Sequence, residues 1–485
     1  MKELETNISP ATSILSVQNS KSLHKVDSTQ ILPELRYYHQ FYQISARVFK
    51  ARNRMLYKAG FIPENIYSEL NTIVSSMTRS NAKLAKSKDL NQCQSIVEMH
   101  GSIIGEIKTK LGQDHATYIQ FMYSAHEQHM AVMRLWLLQN LPNVIISLRS
   151  IQALILNNAD DHVKTVVPAY LNHQVIQSIS LGYNIVQYAE MLNRDVDRLN
   201  VIQHNINRSP CGAGIVAGTS LAINRASMSR LLQFREVIDS ALDALTDNDF
   251  LLEVAFTFSV CANHLSRIAN QMVAWHEENG ELAFNDGKYS PRGASIAEQS
   301  INLEAIRNRM TRIQSELSTA LHINSMQYST LNNDLDSVTT SVVNSFHSVM
   351  ECITLLQTMM LELRINKRSL KEAAQQQTGF FYDIRDWLLQ NTKNDLIKST
   401  KIAEQIINYS NSNKKKLSLI ELKELQAIDP AITDDIYSVL IASRAIIGRR
   451  SKGGSNPVQV RKKMRNLRRQ VFNQTLMHDV EGSVN

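Results

Sequence analysis

Residues 249–279 read DFLLEVAFTFSVCANHLSRIANQMVAWHEEN and decide the fold class of this chain. Apolar residues recur through the segment at the spacing of successive helical turns. They are Leu251, Val254, Phe258, Leu265, Ile268 and Met272. Because the apolar set is wider than one narrow stripe, we predict one long helix that is buried on more than one side. Helices of this kind pack into bundles, often across subunits, so we expect an all-α fold with a long central helical bundle.

The low content of glycine and proline predicts long helices elsewhere in the chain. Gly (16) and Pro (9) make up about 5% of the 485 residues, whereas soluble proteins usually contain about 12%. Neither residue occurs from Ala294 to Thr378 or from Thr219 to Asn279. Few helix breakers favour uninterrupted helices. The length allows two or three domains and a large core.

Cysteine usage and the amino-terminal residues argue against several classes of protein. The four cysteines lie far apart and form no CxxC pair, so we expect no metal, no cofactor and a reducing, cytoplasmic compartment. The first 30 or so residues are polar and serine-rich, without the apolar core of a signal peptide. We expect them to be a frayed leader. The sequence has no run of about 18 apolar residues, so we expect no membrane span.

A glycine-rich stretch, SPCGAGIVAGTSLAIN at residues 209–224, interrupts the helical pattern. Glycine tolerates the backbone conformations that tight turns require. The stretch lacks the lysine of a GxxxxGK[ST] phosphate loop, and no strand pattern precedes it. We therefore interpret it as a tight connector between long helices.

The end of the chain combines a small helical unit with a basic segment. Residues 418–440 are predicted to form the unit, with a turn at Pro430. Arg449 to Arg469 carries nine basic residues and no acidic one. Such a segment is a nucleic-acid or anionic-surface patch, or else a terminal helix that is either solvated or in contact with an acidic neighbour. No aromatic residues for base stacking are interleaved, so we favour the helix and do not expect nucleic acid as a partner.

Several segments, in the right order, resemble the argininosuccinate lyase family. They are VPAYLNHQVIQSISLGYNIVQYAEMLNRDVDRL (167–199), NRSPCGAGIVAGTSLAINR (207–225), SALDALTDNDFLLE (240–253), and the later ELQAIDP, DIYSVL and RRSKGGSNPVQVRKKM. The match covers roughly residues 37 to 470. The resemblance implies the fumarase/aspartase superfamily: three mostly helical domains and a homotetramer with a twenty-helix core, in which three subunits line each active site. We place the domains at 1–111, 112–364 and 365–485.

The family resembled here cleaves a C–N or C–O bond beside a carboxylate and releases fumarate, with a base, an acid and cationic groups that bind the carboxylates. Its mobile signature loop reads G-S-S-x-M-P-x-K-x-N and corresponds to Gly293–Asn302, within SPRGASIAEQSINLE (290–304). Ala294 stands where the resemblance implies the serine base, and Ser300 where it implies a lysine. Ser295 and Asn302 match the family. By this resemblance we expect a loop that closes over a pocket.

The family's T-H-x-Q motif corresponds to Leu171–Gln174, so Asn172 occupies the histidine position of the acid and His173 follows it. If the segment is helical, His173 points about 100° away from that position. We interpret His173 as a structural histidine, or, with a one-residue shift of register, as a pocket residue.

Two further family motifs are altered in this chain. T-G-R-S-R-N-D-Q corresponds to Phe121–Gln128, where Tyr123 and Ala125 replace two arginines, His126 the asparagine and Glu127 the aspartate. Y-N-K-D-L-Q-x-x-K corresponds to residues 328–336. There Tyr328 is retained, Asn333 replaces the glutamine and Asp336 replaces the last lysine.

These departures leave two interpretations of function. The first is a repurposed enzyme that performs acid/base elimination, addition or cyclisation on a small molecule other than a dicarboxylate. The second is a catalytically inactive homologue with a structural or regulatory role in a tetramer. For the enzyme we predict His126 or His173 as base and Tyr328 or Glu298 as acid. The predicted substrate-binding residues are Tyr123, Ser124, Glu127, Asn172, Gln174, Ser295, Ser300, Asn302 and Asn333.

Overall fold

The computed structural model describes residues 38–79, 96–172, 174–279, 282–284, 294–325, 335–375 and 377–482. The polar leader, His173, Tyr328 and Asn333 lie outside these ranges. The described chain is mostly helical, which confirms the predicted fold class. It divides into two compact units, Met1–Phe121 and Met122–Asn485. The tetramer and the division into three domains stay predictions.

The first unit is a small helical assembly. Its described elements are α1 (Tyr38–Lys58), α2 (Glu64–Arg79), α3 (Ile96–Leu111) and α4 (Gln113–Gln120). Helix α1 packs on α2 and α3, and its apolar face is buried at Phe49 and Leu56. The hydroxyl of Tyr42 donates to Glu106 Oε2 at 2.8 Å, which ties α1 to α3.

The second unit contains the long helices that the sequence predicts, with short strands and helices between them. In chain order its elements as far as residue 373 are α5 (Ala125–Asp161), β1 (Val166–Leu171), β2 (Gln174–Ser180), α6 (Leu181–Ile206), β3 (Arg208–Ser209), α7 (Arg225–Leu231), β4 (Glu236–Val237), α8 (Ala241–Thr246), α9 (Asp249–Asn279), β5 (Leu282–Phe284), α10 (Ala294–Ser325), α11 (Leu335–Glu362), β6 (Leu363–Ile365) and α12 (Lys367–Ala373). Helix α9 has the predicted limits, so that prediction is confirmed.

The long helices pack side by side around a shared core. Helix α9 contacts α6, α10 and α11, and α5 contacts α6 and α11. Phe346 of α11 joins two of these contacts, with its ring 5.1 Å from Trp136 of α5 and 6.2 Å from Phe258 of α9. Trp136 and Phe258 are fully buried, and each large apolar side chain buried in this way stabilises the fold by about 1.5–3 kcal/mol.

Strands β1 and β2 form an antiparallel hairpin that the sequence reading missed. The register pairs Val166 with Ser180 and Leu171 with Gln174, and it is irregular between Ala169 and Tyr170. Leu171 and Gln174, at the two ends of the T-H-x-Q positions, therefore lie in strands and not in a helix. Pro168 lies near the middle of β1. Because proline is usually excluded from strand interiors, the sequence of β1 does not show a clear strand pattern.

Two further predictions about connecting segments require correction. The stretch 290–304 was expected to be a loop, but residues 294–304 lie in α10, because no glycine or proline interrupts the chain there. The absence of glycine and proline from Thr219 to Asn279 was expected to favour long helices. The first part of this stretch instead contains the short helices α7 and α8 and strand β4.

The carboxy-terminal part of the second unit has its own apolar cluster. After a 3₁₀ turn at Gln377–Phe380, its elements are α13 (Phe381–Asn391), α14 (Leu396–Ser412), a 3₁₀ turn at Leu417–Leu419, α15 (Leu422–Ile428), a 3₁₀ turn at Asp434–Ser438, α16 (Ala442–Gly448) and α17 (Pro457–Gly482). Trp387, Ile406 and Leu425 lie in the cluster. Pro430 lies in a turn after α15, as predicted.

The second part of the basic segment, residues 457–469, forms the beginning of α17, and acidic side chains lie beside it. Lys463 pairs with Glu190 of α6, and Arg468 lies 3.1 Å from Asp160 of α5. These contacts support the interpretation of a helix that meets acidic neighbours.

Among the described helices, α5 alone is long and apolar enough to cross a membrane by length and composition. Most of the apolar window of that helix, 61%, is buried inside the fold, which is typical of a core helix.

Candidate functional site

The candidate site is built around the amino-terminal end of α5. Ser124 is the cap residue of this helix, and its hydroxyl accepts the backbone N–H of Glu127 at 3.3 Å. A serine cap satisfies one of the backbone donors that the first helical turn leaves without a partner. Tyr123 precedes the cap and is half-buried. The predicted residues Tyr123, Ser124, His126 and Glu127 therefore share one helix start.

The carboxylate of Glu127 binds the glycine turn. Its Oε1 accepts the backbone N–H of Gly212 at 3.0 Å, and its Oε2 accepts that of Gly214 at 2.9 Å. Only 5% of Glu127 is exposed. Backbone N–H groups arranged in this way form a nest for an anion. The anion in this nest is a side chain of the protein itself, which agrees with the interpretation of the stretch as a connector.

Glycine is required where this turn closes. Gly214 has a φ of 77°, a conformation that residues with a Cβ rarely adopt. A Cβ added at Gly214 would lie 2.6 Å from the carbonyl oxygen of Gly218. The close approach of the two backbone segments therefore depends on glycine at this position.

His126 is placed as a neutral imidazole. Burial lowers the pKa of this half-buried side chain, and a hydrogen bond to the backbone carbonyl of Leu245 opposes the shift only in part. A carbonyl accepts the hydrogen bond, so one ring nitrogen carries the proton and the other is left as an acceptor. A neutral imidazole with an acceptor nitrogen can remove a proton from a bound molecule.

A second histidine, which the sequence reading missed, lies one turn further along α5. His129 is 1% exposed. Its Nε2 lies 2.9 Å from Oγ1 of Thr339, and its Nδ1 lies 3.5 Å from Oδ1 of Asp336. Both partners belong to the first turns of α11. The contact with Thr339 spans 210 positions of the chain, so no local pattern could have predicted it.

An ion pair connects α5 to the residues just before α9. Nη2 of the buried Arg134 donates to Oδ2 of Asp247 at 2.5 Å. The guanidinium carbon of Arg134 also lies 4.1 Å from the ring centroid of Phe250, at the start of α9. A cation over an aromatic face adds about 0.5–2 kcal/mol of attraction. The contacts of Arg134 with Asp247 and Phe250 therefore hold the start of α9, which lies shortly after Leu245, against α5.

The remaining predicted site residues lie on other elements. Asn172 is exposed at the tip of the β1–β2 hairpin with a φ of 51°, and Gln174 is exposed at the start of β2. Four others lie within the first turns of α10, although only the backbone of that stretch is described: Ser295, Glu298, Ser300 and Asn302. His173, Tyr328 and Asn333 lie outside the described residues, so their positions in the site stay predictions.

Within the described part of the chain, no group of three or more His, Cys, Asp or Glu side chains is arranged to hold a metal ion. The described cysteines, Cys211, Cys261 and Cys352, are buried. Burial raises the pKa of the Cys352 thiol to about 12, which is the behaviour of a structural cysteine rather than a nucleophile.

The sequence profile of the family described as Lyase matches residues 25–314, which is more than half of the chain. The chain belongs to the lyase family. This finding confirms the resemblance on which the site residues were chosen. This member of the lyase family is similar in sequence to several argininosuccinate lyases.

One of these relatives is argininosuccinate lyase from Ehrlichia ruminantium strain Welgevonden, 28% identical over 377 residues that cover 77% of this chain and 79% of the relative. Argininosuccinate lyase 1 from Mesorhizobium japonicum is 27% identical over 426 residues, covering 86% of this chain and 88% of the relative.

Solved structures of two other enzymes share the fold of this protein. A variant of EDDS lyase with bound fumarate has a TM-score of 0.77 at 19% identity, covering 92% of this chain and 91% of that chain. The 3-carboxy-cis,cis-muconate lactonizing enzyme from Pseudomonas putida has a TM-score of 0.69 at 13% identity, covering 91% and 97%. At such identities the likeness concerns the fold.

Proposed function

We propose that this lyase-family protein is a repurposed enzyme that performs acid/base chemistry on a small molecule other than a dicarboxylate. The observation that carries the proposal is the placement of His126. A half-buried, neutral imidazole, oriented by the carbonyl of Leu245, is equipped to act as a general base. Of the remaining candidate residues, Tyr328 or Glu298 would act as the acid.

The site lacks cationic side chains that the family carries, which supports a substrate different from that of the family. Four positions at which the family carries a cationic side chain hold Tyr123, Ala125, Ser300 and Asp336. A hydrogen bond to a charged group contributes about 1.5–3 kcal/mol, so the loss of four such groups removes most of the affinity for a succinyl group. We therefore propose that argininosuccinate is not cleaved efficiently.

The proposed reaction class follows from the candidate acid and base side chains that remain. A base and an acid on opposite sides of a pocket can carry out elimination, addition to a double bond, or cyclisation. A fold neighbour bears the name of a muconate lactonizing enzyme, and we include ring formation among the proposed reactions for this reason. We propose a homotetramer in the cytoplasm, with a small-molecule substrate and no nucleic-acid partner.

The alternative is an inactive lyase homologue with a structural or regulatory role in a tetramer. The observation that favours it is the loss of the serine base position, at Ala294, together with the lysine position, at Ser300. An inactive protein retains the fold but needs no general base. His126 would then be a packing residue.

A ligand screen distinguishes the two candidates. We expect members of an amine and amide library to raise the melting temperature of the protein and at least one to be converted, as followed by proton NMR. His126→Gln should abolish conversion, whereas His115→Gln, at an exposed position of the first unit, should leave it unchanged. A library that neither stabilises the protein nor is converted would favour the inactive homologue.

A further inference from the structure

We propose that a cavity between α6 and α17 binds a zwitterionic α-amino acid with an aliphatic side chain. In the bound state Lys463 pairs with the carboxylate of the ligand, and Glu190 pairs with its ammonium group. Both residues line the cavity. None of the lining residues is a candidate site residue, so this binding site does not depend on the proposed function.

The cavity has a volume of about 240 Å³ and three walls. One face of α6 forms the first wall, with Tyr183, Val186, Gln187 and Glu190 at the spacing of successive helical turns. The turn between α16 and α17 and the first two turns of α17 form the other walls. Pockets for drug-sized ligands usually have about 300–1,000 Å³. The volume between α6 and α17 therefore fits a smaller molecule, of the size of an amino acid.

Two glycines keep the space between the helices open. Gly453 and Gly454 line the cavity without contributing side chains. Gly453 has a φ of 82°, and a Cβ added at Gly454 would lie 2.6 Å from the carbonyl oxygen of Arg449. The buried side chain of Asn456 accepts the backbone N–H of Val458 at 2.8 Å. Because this turn is held in place before a ligand arrives, binding has a lower entropic cost.

The two charged residues that line the cavity have opposite signs. Lys463 and Glu190 form an ion pair with each other, with side chains that are 51% and 31% exposed. An ion pair at such exposure contributes little to stability, so a ligand can separate it at small cost. A ligand with one charge would pair with one of the two side chains and leave the other without its partner. A zwitterion gives each of them a charge-assisted hydrogen bond.

Two amide side chains add acceptors for the ammonium group of the ligand. Nε2 of Gln187 donates to Oδ1 of Asn184 at 3.0 Å, and Nε2 of Gln459 donates to the carbonyl oxygen of Arg450 at 3.3 Å. Each amide therefore uses its NH₂ group within the fold, and its oxygen can accept a hydrogen bond from a ligand. Gln187 and Gln459 both line the cavity. With Glu190 they supply the acceptors that an ammonium group needs.

The apolar part of the lining selects the side chain of the ligand. Val186 and Val460 line the cavity and are 6% and 3% exposed. The ring of Tyr183 lies on the same face of α6 as Val186. Contact with these apolar groups removes the aliphatic side chain of a ligand from water, which is favourable. The combination of opposite charges and an apolar wall fits leucine or a similar amino acid.

The experiment compares L-leucine with two probes that each lack one of its charges. 4-Methylpentanoate is leucine without the ammonium group, and 3-methylbutylamine is leucine without the carboxylate. Binding to the full chain is measured at neutral pH by ligand-detected NMR titration. Because each probe loses one charge-assisted interaction, we expect leucine to bind at least about tenfold more tightly than either of them.

Substitutions of the ion pair should have opposite effects on the two preferences. Glu190→Gln removes the partner of the ammonium group, so it should lose the preference for leucine over 4-methylpentanoate and keep that over 3-methylbutylamine. Lys463→Gln should lose the second preference and keep the first. Lys462→Gln, at the exposed neighbouring residue, should keep both. Melting temperatures close to that of the wild-type protein will show that the three variants are folded.

A bulky residue in the cavity provides a test that leaves both charges in place. Gln459→Trp should abolish leucine binding, because the indole occupies the space of the ligand. Gln470→Trp, at an exposed position of the same helix, should leave leucine binding unchanged.

Three results would overturn the proposal: no preference of the wild-type protein for leucine, preferences that Glu190→Gln and Lys463→Gln leave unchanged, or full leucine binding by Gln459→Trp. Unchanged preferences would show that leucine binds elsewhere on the protein. His126→Gln, which should abolish conversion of a library compound, should bind leucine as the wild-type protein does. The failure of the proposed function and the failure of the amino-acid site are therefore separate results.

Discussion

Glu127 of α5 holds Gly212, 85 positions away in the chain, by a hydrogen bond of 3.0 Å from the glycine N–H to a buried carboxylate oxygen. The neighbouring contact with Gly214 is 2.9 Å long. A carboxylate whose two oxygens both accept backbone donors is well satisfied inside a protein. Glu127 was predicted as a substrate-binding residue, and its geometry gives it the separate task of holding the glycine turn in place.

Replacement of Glu127 should therefore reduce stability. We expect Glu127→Gln to lower the free energy of unfolding by about 3 kcal/mol, because the amide NH₂ group cannot accept the second backbone N–H. Thermal or denaturant unfolding measures the change. Glu253→Gln, at an exposed position of α9, is the control and should change stability by less than about 0.5 kcal/mol. A Glu127 variant with full stability and weakened ligand binding would instead support a role in substrate binding.

Two helical glycines should respond to alanine in opposite directions. A Cβ at Gly182, at the start of α6, would lie 2.5 Å from the carbonyl oxygen of Ala159 and 2.9 Å from Cα of Val163. Displacing these backbone atoms is energetically unfavourable, so Gly182→Ala should destabilise the protein by about 1–3 kcal/mol. Gly105 in α3 has no atom within 4 Å of an added Cβ, so Gly105→Ala should stabilise it by about 0.5–1 kcal/mol. Melting temperatures of the two variants test this contrast, and shifts of the same sign would refute it.

Buried histidines should make the fold sensitive to acid. Burial, with a contribution from Arg52, lowers the pKa of His100 to about 3, and burial lowers that of His347 to about 4. In the unfolded chain a histidine titrates near 6.5. Between these values the unfolded chain binds protons that the folded chain does not, so stability falls as the pH drops from about 6.5 toward 3 or 4.

The slope of this loss identifies the residues responsible. Each buried histidine contributes at most about 1.4 kcal/mol per pH unit. His100→Gln should be less stable than the wild-type protein at pH 7, because the contact with Ser45 Oγ at 3.0 Å is lost, but its stability should fall less steeply with acid. His115→Gln, at an exposed position, should keep the wild-type slope. Equal slopes in all three proteins would contradict the assignment.

The stability of the carboxy-terminal helices should depend on the hydrogen bonds of Arg449. Its Nη2 donates to Oδ2 of Asp383 at 2.6 Å and its Nε to Oδ1 at 3.1 Å, and Nη1 donates to the carbonyl oxygen of Ser178 in β2. Lysine cannot reproduce a two-pronged contact of this kind. Arg449→Lys should lower the free energy of unfolding by about 2 kcal/mol, whereas Arg450→Lys, at the exposed neighbouring residue, should have little effect. Identical melting curves for the two variants would count against this link.

The sequence predicts those parts of the fold whose signal is local. Helix α9 shows its apolar spacing across the whole of Asp249–Asn279, and the limits predicted from it are those observed. The β1–β2 hairpin could not be read in the same way. Pro168 falls inside the first strand, and each strand is too short to show a strong period.

The candidate site also contains some features with a local sequence signal and others without one. Ser124 could be placed at a helix start, because serine is a favoured cap residue. The partners of Glu127 and His129 could not be predicted, because they come from segments 85 and 210 positions away. A histidine within an apolar helical run gives no sign of the helix it will meet, so His129 and Asp336 emerged as a pair only from the packed structure.

The most direct test of the account is the release of fumarate from argininosuccinate at high protein concentration, followed by ultraviolet absorbance. Adenylosuccinate, aspartate and malate serve as further substrates, and an argininosuccinate lyase from Ehrlichia ruminantium serves as the positive control. Because Asp336 and Ser300 stand where the family carries lysines, we predict no fumarate from any of the four compounds. Fumarate produced from any of them by this protein would show that other residues carry the family reaction and would contradict the proposed change of substrate.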